Sequence, residues 1–186
     1  MTNRHKVFVS YHHAGDESYK KIFELRFGNR FGVLVSGSVA IGEIDPDSNT
    51  EYIRQRIRDE YLRDSSVTVV LVGVHTWQRK HVDWEIYSSL RDTPANPRSG
   101  LIGILLPSFQ RTHGTAAGSW SRHKYVIPPR LVDNVESGFA SLHDWSEDPD
   151  VVQDWIHKAY LRKGRLPPSN ARPMFGRNRT AANWST

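Results

Sequence analysis

The sequence predicts an α/β fold in which a parallel sheet is covered by helices on both faces. Two runs, SVTVVLVGV (66–74) and SGLIGILLP (99–107), are apolar at almost every position. Such runs are typical of strands that are buried on both sides rather than on one. Segments with apolar residues at helical spacing alternate with these runs along the chain. This alternation of strand and helix indicates a parallel sheet.

The N-terminal part of the chain opens with a short β-rich run and a helix. KVFVSYH (6–12) predicts the first strand. The segment 16–31 has apolar residues at helical spacing and an acidic first turn, which together predict a helix. GVLVSGSV (32–39) is a second apolar run and predicts the second strand.

A polar loop at 42–50 leads into the next predicted helix, SNTEYIRQRIRDEYL (48–62). Ser48 or Asn49 can serve as its N-cap, with Glu51 in the first turn. The buried face is predicted to consist of Tyr52, Ile53, Ile57 and Leu62. The first of the two fully apolar runs then forms the third strand.

The remaining elements follow the third strand. WQRKHVDWEIYSSL (77–90) predicts a helix that precedes the fourth strand. Segment 108–140 contains Gly, Ser, Pro and His without a clear period, and is interpreted as a long irregular segment. SLHDW (141–145) predicts the last strand, and DPDVVQDWIHKAYL (148–161) predicts the last helix, with a proline and acidic residues in its first turn.

Composition and charge limit the possible chemistry. The 186 residues contain no cysteine, which excludes disulfides, thiolate zinc sites and cysteine nucleophiles. The net charge is +5, but six basic residues and no acidic residue lie from Arg162 onward, which leaves about −1 for residues 1–161. We therefore predict one domain, residues 1–161, and a basic, weakly ordered tail, residues 162–186. A solvated tail is the simpler interpretation, although its charge would also suit phosphates or a partner chain.

No part of the sequence looks like a membrane or secretion signal. The N-terminus enters a strand-like run directly, without the apolar core of a signal peptide. No apolar stretch approaches the roughly 20 residues of a membrane span. We therefore expect a cytoplasmic protein.

Ligands of open parallel sheets bind outside the carboxyl ends of the strands, so the loops there are the candidate site. These loops contain no P-loop, no dinucleotide-binding Gly-x-Gly-x-x-Gly and no Gly-x-Ser-x-Gly motif. Four histidines are predicted near this edge but lack the tight spacing of zinc ligands: His12, His13, His75 and His81. We predict ordinary loop histidines and no metal site.

The helix at 77–90 carries a carboxylate close to its buried side. The stripe that faces the sheet consists of Val82, Ile86, Ser89 and Leu90. Glu85 lies on the flank of this stripe, about 60° from Val82 around the helix axis. Its Cβ tilts towards the helix N-terminus, next to the strand ends, so the side chain can project into the ligand crevice. The alternative is a surface residue that pairs with Lys80, His81 or Arg91.

Two stretches, KVFVSYHH and SVTVVLVGVHTWQRKHVDWEIYSSL, resemble the TIR-like domain of bacterial defence proteins. Specifically, they are similar to the TIR-like subunit of the Thoeris anti-phage system. The family pattern is matched from Ser66 to Ile86, and its first-strand signature by Ser10-Tyr11-His12. The resemblance covers about residues 5–160. It implies a flavodoxin-like three-layer sandwich with a five-stranded, mostly parallel sheet in the order 2-1-3-4-5.

The resemblance also implies an enzyme that cleaves the nicotinamide–ribose bond of NAD+ and releases a cyclic or modified ADP-ribose as a messenger. Glu85 corresponds to the family's essential glutamate on the helix after the third strand, so it is the predicted catalytic residue. NAD+ is the substrate, and no separate cofactor is expected. The predicted substrate-binding residues are Ser10, Tyr11, His12, Ser36, Trp77 and His81.

Several of these roles have alternatives. Tyr11 and Trp77 are suited to stacking on a base and excluding water, or equally to packing in the core. His12 is suited to a hydrogen bond with phosphate or ribose. His81 stands where the family commonly has tryptophan, which leaves the ribose and nicotinamide contacts open.

The predicted partners depend on the function. An NAD-processing enzyme would act as a homo-oligomer and reach an effector protein through its messenger, without a membrane. The alternative function is a non-catalytic TIR-like interaction module. A third hypothesis, nucleic-acid binding through the basic tail, is weaker because the domain itself is nearly neutral.

Overall fold

The computed structural model describes residues 5–31, 52, 56–94, 96–116 and 120–185. Four strands, β1 (Val7–Ser10), β2 (Val67–Val72), β3 (Gly100–Leu105) and β4 (Ala140–Asp144), form one parallel sheet in that order. The register aligns Val67 of β2 with Val7 of β1 and with Gly100 of β3. The carboxyl ends of all four strands therefore lie at one edge of the sheet.

The prediction of a parallel α/β sheet is confirmed within the described residues. The four strands correspond to the predicted first, third, fourth and fifth strands, and they are neighbours in the predicted order. The predicted second strand, 32–39, lies outside the described residues. The part of the sheet formed by the described residues has four strands, which is consistent with a flavodoxin-like arrangement.

Helices cover both faces of the sheet. The described residues form five α-helices: α1 (His13–Phe31), α2 (Lys80–Ser89), α3 (Pro107–His113), α4 (Pro129–Glu136) and α5 (Pro149–Lys163). Val69 and Leu71 of β2 join a core with α1 and α5, whereas Val70 and Val72 join a core with α2 and α4. This alternation explains why β2 is apolar at consecutive positions. Within the described part of the chain, no helix is both long and apolar enough to cross a bilayer.

The prediction of an irregular segment at 108–140 was wrong. It contains most of α3, two short 3-10 turns (Trp120–Arg122 and Lys124–Val126) and α4. Both α-helices begin with a proline, whose fixed φ suits the first helical position. The face that α4 buries includes the polar residues Arg130 and Asn134. Leu131 and Val132 are buried as well, so the apolar spacing was present in the sequence but extends over a helix of only 8 residues.

Two predicted helices differ from the observed ones. Most of the helix at 48–62, including its predicted cap, lies outside the described residues. At its end Ile57–Tyr61 form a π-helical turn, and Tyr52, predicted to be buried, is 56% exposed. The helix at 77–90 is in two parts, because a 3-10 turn (Thr76–Gln78) precedes α2. Between them Arg79 is extended, with φ −89° and ψ 119°.

The predicted weakly ordered tail has specific contacts in the structure. Its first two residues complete α5, and the remainder, residues 164–185, is here called the C-terminal segment. This segment has no helix or strand, but Phe175 is buried and the Trp184 indole donates a hydrogen bond to the Ile127 carbonyl at 2.7 Å. Side-chain and main-chain contacts with α2 and α4 hold it in place. The boundary of the domain at residue 161 stays a prediction.

Candidate active site

Glu85 and Ser10 meet at the carboxyl edge of the sheet. Ser10 is the last residue of β1, and its hydroxyl donates a hydrogen bond to Glu85 Oε2 at 2.5 Å. Both side chains are completely buried, with 0% of each residue exposed. The alternative that Glu85 forms ion pairs at the surface is therefore wrong. The helix brings this carboxylate to the strand ends, where parallel sheets bind ligands.

Tyr11 follows Ser10 and connects β1 with two helices. Its carbonyl oxygen accepts a hydrogen bond from His81 Nε2 at 3.1 Å, and its phenol donates one to Glu17 at 2.5 Å. Its ring stacks on His13 with centroids 4.7 Å apart. These contacts make Tyr11 part of the frame of the site. The face of its ring that packs on His13 is not open to a base.

The four histidines predicted near this edge do lie together. The rings of His12 and His75 are 6.4 Å apart, and those of His13 and His81 are 4.9 Å apart. Burial lowers the pKa of His12 to about 4, with further lowering by the positive charge of Arg79 and by His75 and His13. Burial also lowers the pKa of His81 to about 4, against the opposing effect of its bond to Tyr11.

His12 and His81 are therefore neutral at pH 7, so they offer hydrogen bonds rather than positive charge to a ligand. Among the described residues, no group of three or more potential ligands could hold a metal ion. The charge available beside them is the guanidinium of Arg79. This arrangement suits a polar uncharged group, such as a ribose hydroxyl, better than it suits a metal.

The sequence interpretation missed a second buried carboxylate, Asp16. It accepts a hydrogen bond from the Thr76 hydroxyl at 3.2 Å, and this hydroxyl accepts one from the Gly73 amide at 2.8 Å. Burial raises the pKa of Asp16, which the bond from Thr76 partly opposes. A Cβ at residue 73 would lie 2.3 Å from Asp16 Oδ2, so only glycine fits there. Gly73, directly after β2, was the feature of the sequence that could have indicated this close contact.

The remaining predicted site residues are less directly connected. Trp77 lies in the 3-10 turn before α2 and is only 2% exposed, so its ring has little surface to offer a ligand. Ser36 lies outside the described residues. The structure thus groups Ser10, Tyr11, His81 and Glu85 through direct contacts, with His12 beside them.

The opposite side of α2 has a second set of contacts that the sequence did not reveal. Asp83 accepts hydrogen bonds from Arg130 Nε at 3.0 Å and from the Phe175 amide at 2.9 Å. The indole of Trp84 donates to the Phe175 carbonyl at 2.8 Å. The helix that bears Glu85 is therefore fixed by α4 and by the C-terminal segment.

A parallel α/β domain, with a buried glutamate on the helix after β2 that faces the end of β1, has the architecture of the TIR-like class. The sequence comparison is more specific, because the model of the family described as Thoeris protein ThsB, TIR-like domain, matches residues 8–111. The chain belongs to this family, which confirms the predicted resemblance. The match ends within α3, short of the predicted residue 160. No curated protein sequence matches the chain significantly.

Proposed function

We propose that this chain is an NAD-processing enzyme of anti-phage defence, which cleaves the nicotinamide–ribose bond and releases a cyclic or modified ADP-ribose. The observation that carries the proposal is the buried carboxylate of Glu85, bonded to Ser10 at the carboxyl edge of the sheet. Membership of the TIR-like family gives this carboxylate its chemical interpretation.

The reaction needs charge stabilisation at one carbon. Nicotinamide departs with the electron pair of its bond to ribose, and the anomeric carbon takes on oxocarbenium character. A carboxylate beside the ribose stabilises this positive charge and accepts hydrogen bonds from the ribose hydroxyls. Nicotinamide leaves as a neutral molecule, so a second carboxyl group to protonate it is unnecessary.

The product depends on which nucleophile reaches the anomeric carbon. An adenine nitrogen or a ribose hydroxyl of the same molecule supplies the electron pair of the new bond. When the nucleophile is a hydroxyl, it also loses its proton. Water gives linear ADP-ribose instead. In the proposal Tyr11 and Trp77 contribute to a site that limits water. His12 and His81 supply hydrogen bonds to ribose or phosphate, and Ser36 is a further substrate-binding residue.

The proposed biological role follows from the family. The released nucleotide acts as a messenger that activates a separate effector protein in the cytoplasm. The enzyme acts as a homo-oligomer, since neighbouring copies can complete a site that one copy leaves closed. NAD+ is its substrate, and no resident cofactor is required.

A non-catalytic interaction module is the second candidate. The observation that favours it is burial, because Glu85 and Trp77 expose 0% and 2% of their surface. A substrate would have to reach a carboxylate that solvent does not reach. In this candidate, Ser10 and Glu85 only join β1 to α2.

Nicotinamide release from NAD+ distinguishes the two candidates. We expect the wild-type chain to release nicotinamide at high protein concentration or in a phage-infected lysate, and the Glu85→Gln variant to be at least about 100-fold slower. Glu136→Gln removes an exposed carboxylate on α4 that pairs with Lys124 and is the matched control, with unchanged activity. Mass spectrometry of the product separates cyclic from linear ADP-ribose.

Ser10→Ala tests the positioning of the carboxylate. We expect a smaller loss than for Glu85→Gln, mainly in kcat, because Glu85 remains but loses a donor that orients it. If Glu85→Gln keeps full activity, or if no condition gives nicotinamide release, the enzyme proposal is wrong and the interaction module is supported.

A further inference from the structure

The C-terminal segment forms an open concave cavity of about 690 Å³. This arginine cavity is lined by Arg172, Pro173, Met174, Phe175, Gly176, Arg177, Asn178, Arg179, Thr180, Ala181 and Asn183. Three of these residues are arginines and none is acidic. Its volume lies within the roughly 300–1,000 Å³ of typical small-ligand sites.

The walls of the arginine cavity are attached to the body of the domain. The Phe175 amide donates a hydrogen bond to Asp83, and the Phe175 carbonyl accepts one from the Trp84 indole. The side-chain oxygen of Asn178 accepts a hydrogen bond from the Lys80 amide at 2.9 Å. The Arg179 amide donates to the Gln78 carbonyl at 2.8 Å. Helix α2 and the turn before it therefore fix both sides of the loop that forms the cavity.

The positive charge in the arginine cavity is only partly neutralised. Arg172 forms a two-pronged pair with Asp133, at 2.7 and 2.8 Å. Within the described residues, neither Arg177 nor Arg179 forms an ion pair. The Arg179 guanidinium lies 4.2 Å from the centroid of the Phe175 ring. Burial and the nearby charge of Arg172 lower the pKa of Arg179, as expected when cations are close together.

We propose that the arginine cavity binds a phosphate-bearing ligand of nucleotide size. Guanidinium groups match the geometry of phosphate oxygens, and Arg177 and Arg179 are available for such contacts. The side chains of Asn183 and Thr180 add uncharged donors in the same wall. An anion there would relieve the repulsion between the arginines. This site is separate from Glu85 and does not depend on the proposed reaction.

The distribution of charge favours a small ligand over a nucleic-acid strand. A strand needs a positive groove that follows its backbone over several nucleotides. Two other basic residues near the C-terminus contact the body of the domain rather than the cavity. Arg162 donates hydrogen bonds to the Phe139 carbonyl and the Ser141 hydroxyl. The Lys163 ammonium lies 4.7 Å from the centroid of the Tyr160 ring. Within the C-terminal segment, Arg177 and Arg179 lie in one concave loop, and Arg165 lies outside it.

Calorimetric titration of the full chain with pyrophosphate, ADP and adenosine tests the proposal at physiological ionic strength. We expect saturable binding of pyrophosphate and ADP, and none of adenosine. Arg177→Ala should weaken binding at least tenfold. Arg165→Ala is the matched control, since it removes an exposed arginine of the same segment outside the cavity, and should change binding less than twofold.

The Glu85→Gln variant separates this site from the proposed active site. It should bind pyrophosphate as tightly as the wild type, whether or not the chain cleaves NAD+. The proposal is overturned if pyrophosphate does not bind, if Arg177→Ala and Arg165→Ala have equal effects, or if adenosine binds as tightly as ADP. Displacement of bound pyrophosphate by a short single-stranded oligonucleotide, at equal phosphate concentration and with higher affinity, would instead support nucleic-acid binding.

Discussion

Helix α2 carries two buried carboxylates, two residues apart, that face different parts of the molecule. Glu85 faces the end of β1, where the Ser10 hydroxyl donates a hydrogen bond to it. Asp83 faces α4 and the C-terminal segment, where it meets the guanidinium of Arg130 and the amide of Phe175. The same helix thus joins the sheet edge on one side and the C-terminal segment on the other.

The partners of the two carboxylates indicate different roles. Asp83 and Arg130 are 2% and 0% exposed, and their opposite charges compensate each other within the core. Arg130 is also held by the Asn170 side chain at 2.9 Å. A buried carboxylate that is paired with a buried arginine is suited to stabilising the fold rather than to binding a ligand. Glu85, by contrast, accepts a hydrogen bond from Ser10 at the carboxyl edge of the sheet, where ligands of parallel sheets bind. Burial by itself therefore does not distinguish the two carboxylates.

The largest expected effect is on the Asp83 side of the helix. Arg130→Ala leaves a buried charge without its partner, and should lower the free energy of unfolding by about 3–5 kcal/mol. The measurement is urea denaturation followed by circular dichroism. The double variant Asp83→Asn, Arg130→Gln should recover part of the loss, because no unpaired charge remains. A loss below about 1 kcal/mol for Arg130→Ala would remove the distinction between the two carboxylates.

The sequence was sufficient to predict the four described strands and one side of α2. Strands β2 and β3 are buried on both faces, so their apolar runs were unambiguous. Glu85 was noticed because it lies on the flank of an apolar stripe, and the family pattern then gave it a predicted role. Both the spacing of apolar residues and the family motif can be recognised within one short stretch of sequence.

The other side of α2 could not be predicted. Asp83 and Arg130 are 47 positions apart, and each looks like an ordinary surface residue in its own helix. The C-terminal segment has no period to indicate burial, because it is held by hydrogen bonds to main-chain atoms and by single anchors such as Phe175. Pairings of this kind depend on the complete fold rather than on local sequence.

A smaller effect is expected on the Glu85 side, from pH. The pKa of His81 is about 4 in the folded chain, against an ordinary value of 6.5. Below pH 6.5 the unfolded chain binds a proton that the folded chain does not, so stability falls as pH decreases towards 4. His81→Gln keeps a donor for the Tyr11 carbonyl and removes this titration.

Between pH 7.5 and pH 5 the free energy of unfolding should fall in both chains. We expect this fall to be about 1–2 kcal/mol smaller for His81→Gln than for the wild type. Urea denaturation at the two pH values measures the difference. Some pH dependence should remain, because His12 and His143 also have pKa values of about 4. An identical loss in both chains would show that His81 is accessible to protons when folded.

The smallest expected effect concerns the second pair that holds the C-terminal segment, Arg172 with Asp133. Both members are partly exposed, so water and salt screen them, unlike Asp83 and Arg130. A double-mutant cycle with Arg172→Ala and Asp133→Asn should give a coupling of about 1 kcal/mol, which decreases in 1 M salt. A coupling near zero would mean that the other contacts hold the segment, among them the bonds of Phe175 to α2 and of Trp184 to the Ile127 carbonyl. A coupling above about 3 kcal/mol that salt leaves unchanged would place this pair with the buried one, and the C-terminal segment would then belong to the core of the domain.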